Sequence, residues 1–287
     1  MTTLSVAVAE AFKAVCRAEL EAPKPGNVHV FCPSGRKSVD DFIRSAEASA
    51  GPLSSPGARV GARILGAIEA TAAAVGGNTN LGIVLLCAPL AAAAECRLTD
   101  LRAALAGVLA DLDVSDAELA FRAIVLAAPG GLGRAARHDV FAPATVTLGG
   151  AMAEAADRDR IARQYVTGFH DVFVCGETAR SRQMARASDA TWAVLAVYLT
   201  FLAAFPDTHI EREHGTAAAE EVRQIAGVFL ARLEAADDPA HLQSDLLRWD
   251  SSLKRRELNP GTSADLTVAT LFAHRLQNIL PPARNSD

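Results

Sequence analysis

No stretch of this 287-residue chain is apolar for long enough to cross a bilayer. The two most apolar segments, Ile83 to Ala94 and Ala190 to Phe205, run for about 12 and 16 residues, short of the roughly 18 to 20 that a spanning helix needs. Glu10, Lys13 and Arg17 interrupt the N-terminal segment, so a secretory signal is not expected there, nor is a membrane partner. Positive charge is not in excess either. With 28 Lys and Arg against 33 Asp and Glu, the formal charge of -5 argues against a whole-chain footprint for nucleic acid. The five cysteines, Cys16, Cys32, Cys87, Cys96 and Cys175, are odd in number and contain no Cys-x-x-Cys pair. That suits neither a disulfide framework nor a thiolate zinc site, and fits a reducing cytoplasm. Aromatic residues make up only 5% of the chain, and strictly alternating β-branched runs are scarce, which disfavours sheet.

What remains is half apolar and rich in alanine and leucine, and it predicts an all-α protein. The expected architecture is a single multi-helix domain over residues 1–280 with buried central helices, followed by a disordered tail over 281–287. Leu4 to Leu20 sets Val6, Val8, Ala9, Phe12, Val15, Cys16 and Leu20 largely on one side. Asp40 and Asp41 start a second helix, which Gly51-Pro52 breaks, and Arg59 to Ala74 forms a third. Ile83 to Ala94 and Ala190 to Phe205 are apolar nearly all round, as central helices are. Leu98 to Leu126 reads as two helices, the second starting near Ser115 with Glu118 as its capping-box partner. Further helices are expected over Thr147 to Ala156, Asp159 to Phe173, Glu220 to Ala235, and from Ser263 through Leu276.

Polar, glycine-containing turns recur where these helices meet. The first is Pro23-Lys24-Pro25-Gly26-Asn27-Val28-His29, preceded by Glu19 about one turn earlier. Lys24, stiffened by two prolines, is either an ordinary solvated lysine or a phosphate contact, and Gly26 would let backbone approach a ligand. The second, Gly76-Gly77-Asn78-Thr79-Asn80-Leu81-Gly82, is either a turn before a core helix or a ligand loop rich in donors and acceptors. Pro129-Gly130-Gly131-Leu132-Gly133 lacks the Gly-Lys-Ser/Thr ending of a P-loop and follows no strand. Asp207-Thr208-His209 reads as an oxygen-rich loop, and Arg212 is a phosphate clamp or a salt-bridge partner. His209 and His214 lie five apart, not at the four-residue spacing of helical zinc ligands. Gly261-Thr262-Ser263-Ala264-Asp265 opens the last helix, where Thr262 and Ser263 either cap it or meet a phosphate. Asp171 is a capping aspartate or an inward carboxylate, and the run Lys254-Arg255-Arg256-Glu257 reads as solvated surface.

Taken in order, these turns resemble the triphosphoribosyl-dephospho-CoA synthase family, an all-helical group that acts on ATP to make the prosthetic-group precursor of citrate lyase and malonate decarboxylase. The likeness runs from Glu19 to about Leu276. It departs from the citrate-lyase branch in having Asn27-Val28-His29 for Leu-Val-Asp, and Asn80-Leu81-Gly82 for His-Lys-Gly. Those forms are similar to a branch found in archaea and one-carbon-metabolising bacteria.

The resemblance implies transfer of the 5-triphosphoribosyl group of ATP to the ribose 2'-hydroxyl of dephospho-CoA, or a related small acceptor, with release of adenine. It implies magnesium held by Asp171, Asp207 and Asp265, with Lys24 and Arg212 as counter-charges. Glu19 or Asp265 would activate the acceptor hydroxyl, His209 would pass a proton to adenine, and Asn78 and Asn80 would orient the ribose or base. Gly26, Asn27, Thr79, Gly131, Thr262 and Ser263 would complete the nucleotide contacts. Two other readings stay open: a magnesium- and nucleotide-dependent transferase with another acceptor, and a non-catalytic nucleotide-binding regulator. A homodimer is compatible with so apolar a chain.

Overall fold

The computed structural model describes residues 2–32, 37–96, 98–186 and 189–280, and the tail expected over 281–287 lies outside them. Among the described residues the chain is all-α, with no strand. Helix α1 is Thr3–Leu20, α2 Val39–Leu53, α3 Val60–Val75, α4 Leu81–Glu95, α5 Leu101–Ala110, α6 Val114–Ala127 and α7 Leu148–Ala155. Then follow α8 Arg160–Thr167, α9 Glu177–Met184, α10 Ala190–Ala204, α11 Thr208–His214, α12 Thr216–Ala235, α13 Gln243–Arg255 and α14 Gly261–Ile279.

Local chemistry explains most boundaries. Ser38 caps α2 in a capping box with Asp41, and Asp207 caps α11 through the amides of His209 and Ile210. Helix α3 stops at Gly76, which takes the left-handed conformation at φ 71°. Some expectations need correcting. Helix α2 runs through Gly51 and Pro52 to Leu53; Pro52 forfeits one backbone hydrogen bond, and the helix ends one residue later. Helix α6 is capped by Asp113 with Asp116, not by Ser115 with Glu118; Glu118 instead accepts from the Ala144 amide at 2.8 Å. The segment expected as one helix over Asp159 to Phe173 breaks at Gly168, φ 60°, and resumes as a π-helical turn over Asp171–Gly176. Val6, expected on the apolar side of α1, is 45% exposed.

Helix α4 lies at the centre, with Val84, Leu86, Cys87, Ala88 and Leu90 fully buried, and α14 packs across it and against α1 and α10. Each buried Leu, Val or Phe contributes roughly 1.5–3 kcal/mol from the apolar area it removes from water. One core cluster joins α1, α3, α4, α6 and α14; a second joins α10, α12 and α13 around Tyr198, Phe229 and Trp249. Helix α10 serves both, through Phe201 on one side and Tyr198 and Leu199 on the other. Among the described residues no single helix is long and apolar enough to cross a membrane; α10 and α11 would reach that length only across a 53° bend.

Candidate functional site

The five turns, though up to about 240 residues apart in the chain, converge on one cavity of about 1340 Å³. That exceeds the upper range of roughly 1,000 Å³ for single-ligand pockets, so there is room for two substrates. Glu19 at the end of α1, Gly26 and Asn27, Asn78 and Thr79, and Gly131 line it. So do His209 and Arg212 of α11, and Thr262 and Asp265 of α14. Lys24, Asn80, Ser263, Asp171 and Asp207 do not.

Lys24 turns inward. It is fully buried, and its ammonium donates to Glu19, to Asn27 Oδ1 at 3.0 Å and to the Val28 carbonyl at 2.8 Å. With three hydrogens and three acceptors, it has no donor left for phosphate. Burial pushes the Glu19 carboxyl up and the Lys24 ammonium down, and each charge partly restores the other. The expected phosphate contact is therefore a positioning lysine that holds Glu19 and the loop together. Asn27 continues the chain of bonds by donating to Asn259 Oδ1 at 2.8 Å. Gly26, at φ 83°, is needed for close approach: a Cβ there would lie 2.8 Å from the Leu258 carbonyl oxygen. Its amide donates to Asp250 Oδ1 at 2.9 Å.

Asp207 and Ser263 form a structural joint. Asp207 is fully buried; Oδ1 accepts from the His209 and Ile210 amides at 3.0 and 3.3 Å, and Oδ2 from the Ser263 amide and hydroxyl, both at 2.8 Å. Asp207 therefore pins the start of α11 to α14 rather than presenting oxygens to a metal. Asp171 is likewise engaged, by Arg160 at 2.7 and 2.9 Å and by Gln164 at 2.6 Å, so the inward reading of Asp171 ends in an internal ion pair. Among the described residues no group of three or more His, Cys, Asp and Glu side chains forms a protein-only metal cage.

Asp265 is different. It faces the cavity and accepts no hydrogen bond among the described residues. Burial, reinforced by the negative charges of Asp207, Glu19 and Asp159, pushes its carboxyl well above the usual carboxylate range, with Arg212 opposing. Its place depends on the second turn, because a Cβ on Gly82 would lie 2.0 Å from Asp265 Oδ2 and 2.7 Å from Ile161 Cδ1. Both neighbours are side-chain ends, so Gly82→Ala is expected to fold with little change in melting temperature. It should nonetheless cost activity on the order of a hundredfold by displacing the carboxyl, as misplacement of about 1 Å does. A variant with wild-type turnover would show that the close packing at Gly82 does not matter.

The His209 ring is oriented by its neighbours. Nδ1 lies 3.0 Å from the Asn259 carbonyl, which can only accept, so the neutral ring carries its proton there and keeps an acceptor lone pair on Nε2. Arg212 Nε donates to the Gly130 carbonyl at 2.8 Å, and Gly131, φ 66°, leaves room for the Arg212 stem. The amides of Gly130, Gly131, Leu132 and Gly133 donate to no protein acceptor among the described residues, and neither do those of Gly77, Asn78 and Thr79. Such unpaired amide runs are suited to anions. Asn78 Oδ1 accepts from the Leu81 amide at 3.0 Å. Thr79 is tied to Ser45 at 2.5 Å, and Asn80 turns away from the cavity to Ser49 at 3.2 Å. Asn80 therefore supports α2 and does not orient a ligand. Thr262 meets Thr208 hydroxyl to hydroxyl at 3.0 Å.

Part of the wall is not legible in the sequence. Lys254 and Arg255, a solvated run by their local pattern, line the cavity, as do Lys37 and Asp159. Lys37 donates to the Asn78 carbonyl. The oxygen-rich loop expected at Asp207-Thr208-His209 is the start of the seven-residue α11. Helix α13 goes beyond the expected set, although its apolar residues Leu246, Trp249 and Leu253 recur at helical spacing.

Three comparisons bear on this geometry. The CitG family, described as ATP:dephospho-CoA triphosphoribosyl transferase, matches residues 5–282. A crystal structure of a protein assigned as a triphosphoribosyl-dephospho-CoA synthase in Archaeoglobus fulgidus superposes with a TM-score of 0.61 at 21% identity, covering 81% of this chain and 97% of that one. At that identity the likeness speaks to the fold alone. No curated protein matches the chain.

Proposed function

We propose that this chain, which belongs to the ATP:dephospho-CoA triphosphoribosyl transferase family, moves the triphosphoribosyl group of ATP onto a ribose hydroxyl of a dephospho-CoA-type acceptor and releases adenine. The observation that carries the reading is Asp265, a half-buried carboxyl on the cavity wall with no hydrogen-bond partner among the described residues. A carboxyl that keeps its proton where ordinary ones have lost theirs suits a general acid better than a base. In this reading the bond between the ribose C1' and adenine breaks as the bond from C1' to the acceptor oxygen forms. Asp265 gives its proton to the departing adenine, and His209 Nε2 takes the proton from the acceptor hydroxyl. Glu19, paired with Lys24, supplies negative charge near the cationic ribose of an oxocarbenium-like transition state.

The triphosphate is carried intact, so it needs only to be held. Arg212, Lys37 and the free amides of the two glycine loops are the groups suited to it. Magnesium needs only one or two protein carboxylates when phosphates complete its shell. Asp159 fits that need: Oδ1 caps α8, while Oδ2 has only a loose 3.8 Å contact with Arg212. Magnesium so held would neutralise phosphate charge. The test is incubation with ATP, magnesium and dephospho-CoA, followed by chromatography with mass analysis. Adenine that appears only with the acceptor, together with an acceptor heavier by one triphosphoribosyl group, is expected. Formation of ADP or pyrophosphate instead would replace this reading with a phosphoryl or nucleotidyl transfer.

A further inference from the structure

The cavity does not end at its mouth. Ser251 and Arg255 of α13 belong both to the cavity wall and to a shallow groove that continues past Leu247, Arg248 and Ser244. Positions 244, 247, 248, 251 and 255 recur at three- and four-residue intervals, so they share one face of the helix. Arg255, at the junction, is exposed and makes no hydrogen bond or ion pair among the described residues. Lys254 beside it forms an ion pair with Asp250 Oδ2 at 3.0 Å and donates to the Cys32 carbonyl at 3.1 Å. Farther out, Arg248 is held by Asp245, while Leu247 is half-buried and Ser244 exposed.

We propose that this groove is the subsite for the acceptor's tail, an inference that rests on the transferase reading above. Arg255 and Lys254 take the acceptor's diphosphate at the cavity mouth, since a free guanidinium matches phosphate oxygens in a two-pronged fashion. The face of Leu247 with Ser244 and Arg248 takes a flexible arm that alternates methylene and amide groups. No aromatic ring lines the groove among the described residues, so it does not suit a second base. With dephospho-CoA as the acceptor, its nucleoside lies inside the cavity and its amide-bearing arm outside.

Steady-state kinetics of adenine release at saturating ATP, with dephospho-CoA or with arm-less ADP as acceptor, test this. Arg255→Ala is expected to raise KM for both acceptors about tenfold, the effect of one lost charge-assisted bond, while KM for ATP stays within about twofold. Leu247→Asp is expected to raise KM for dephospho-CoA severalfold and leave that for ADP alone. Arg256→Ala, off the groove and paired with Glu221, is the control and should change neither constant. Wild-type acceptor KM in both groove variants, or an equal rise in KM for ATP, would overturn the proposal. Calorimetric titration of dephospho-CoA separates the two levels. Binding that Arg255→Ala weakens, without adenine release by the wild type, would keep the groove and remove the reaction. Adenine release that neither groove variant alters would do the reverse, and absence of both binding and release would remove both.

Discussion

Asp265→Asn is expected to lower adenine release by roughly a hundred- to ten-thousandfold, the usual contribution of a positioned proton donor, with the helical circular-dichroism signal intact. Asparagine keeps the shape and the fit against Gly82 but has no acidic proton. The wild-type rate should fall as pH rises through the raised pKa of Asp265, and the variant should lack that limb. The variant's stability should move opposite to its activity. A carboxyl with a folded pKa above its unfolded value keeps its proton longer in the folded chain, so stability falls as pH rises through that window. Asparagine is free of this penalty, so the variant should melt with the wild type near pH 3 and above it at neutral pH. Near-normal turnover would remove Asp265 from the mechanism, and a lower melting temperature at neutral pH would mean that its carboxylate has a stabilising partner.

Lys24→Met is expected to be far more destabilising than Asp265→Asn or Gly82→Ala. It leaves the Glu19 carboxylate, 4% exposed, without its counter-charge, and removes the donors that hold Asn27 and the Val28 carbonyl. Breaking a buried pair on one side costs about 3–5 kcal/mol, which in a chain of this size corresponds to a fall of very roughly 10 °C in melting temperature. With Lys24 gone, nothing counters the burial that raises Glu19, so the deficit should be largest at neutral pH and shrink as acid protonates it. Glu19→Gln added to Lys24→Met should recover part of the loss, because the orphaned charge goes with it. If instead Lys24 met phosphate directly, the single variant would raise KM for ATP and melt like the wild type.

The contrast between these two residues marks the limit of what the chain discloses before it folds. Asp265 and Lys24 both sit in glycine-containing turns, and their surroundings in sequence suit ligand roles equally well. One faces the cavity; the other lies behind its wall, because the turn after Pro23 folds the lysine back over the end of α1. Asp207 and Asp171 repeat the lesson. As aspartates beside apolar helices they look open to metal, but the amides of His209 and of the distant Ser263, and Arg160, take their oxygens. In the opposite direction, Lys254 and Arg255 are locally no more than a charged run. They become cavity wall only because the bonds from the Gly26 amide to Asp250 and from Lys254 to the Cys32 carbonyl hold α13 beside the first turn.

By itself, then, the sequence determined the all-α class and most of the helices, but not every boundary, since α2 runs on through Pro52 and the segment after Asp159 breaks at Gly168. Apolar periodicity reports which face of a segment leaves water, and glycine and proline report where the backbone must turn, and both are local properties. The direction of each polar side chain at those turns was decided only by tertiary structure. A carboxylate or an ammonium is satisfied equally well by a ligand, by water or by a partner far along the chain, and only the packed chain shows which of them is within reach.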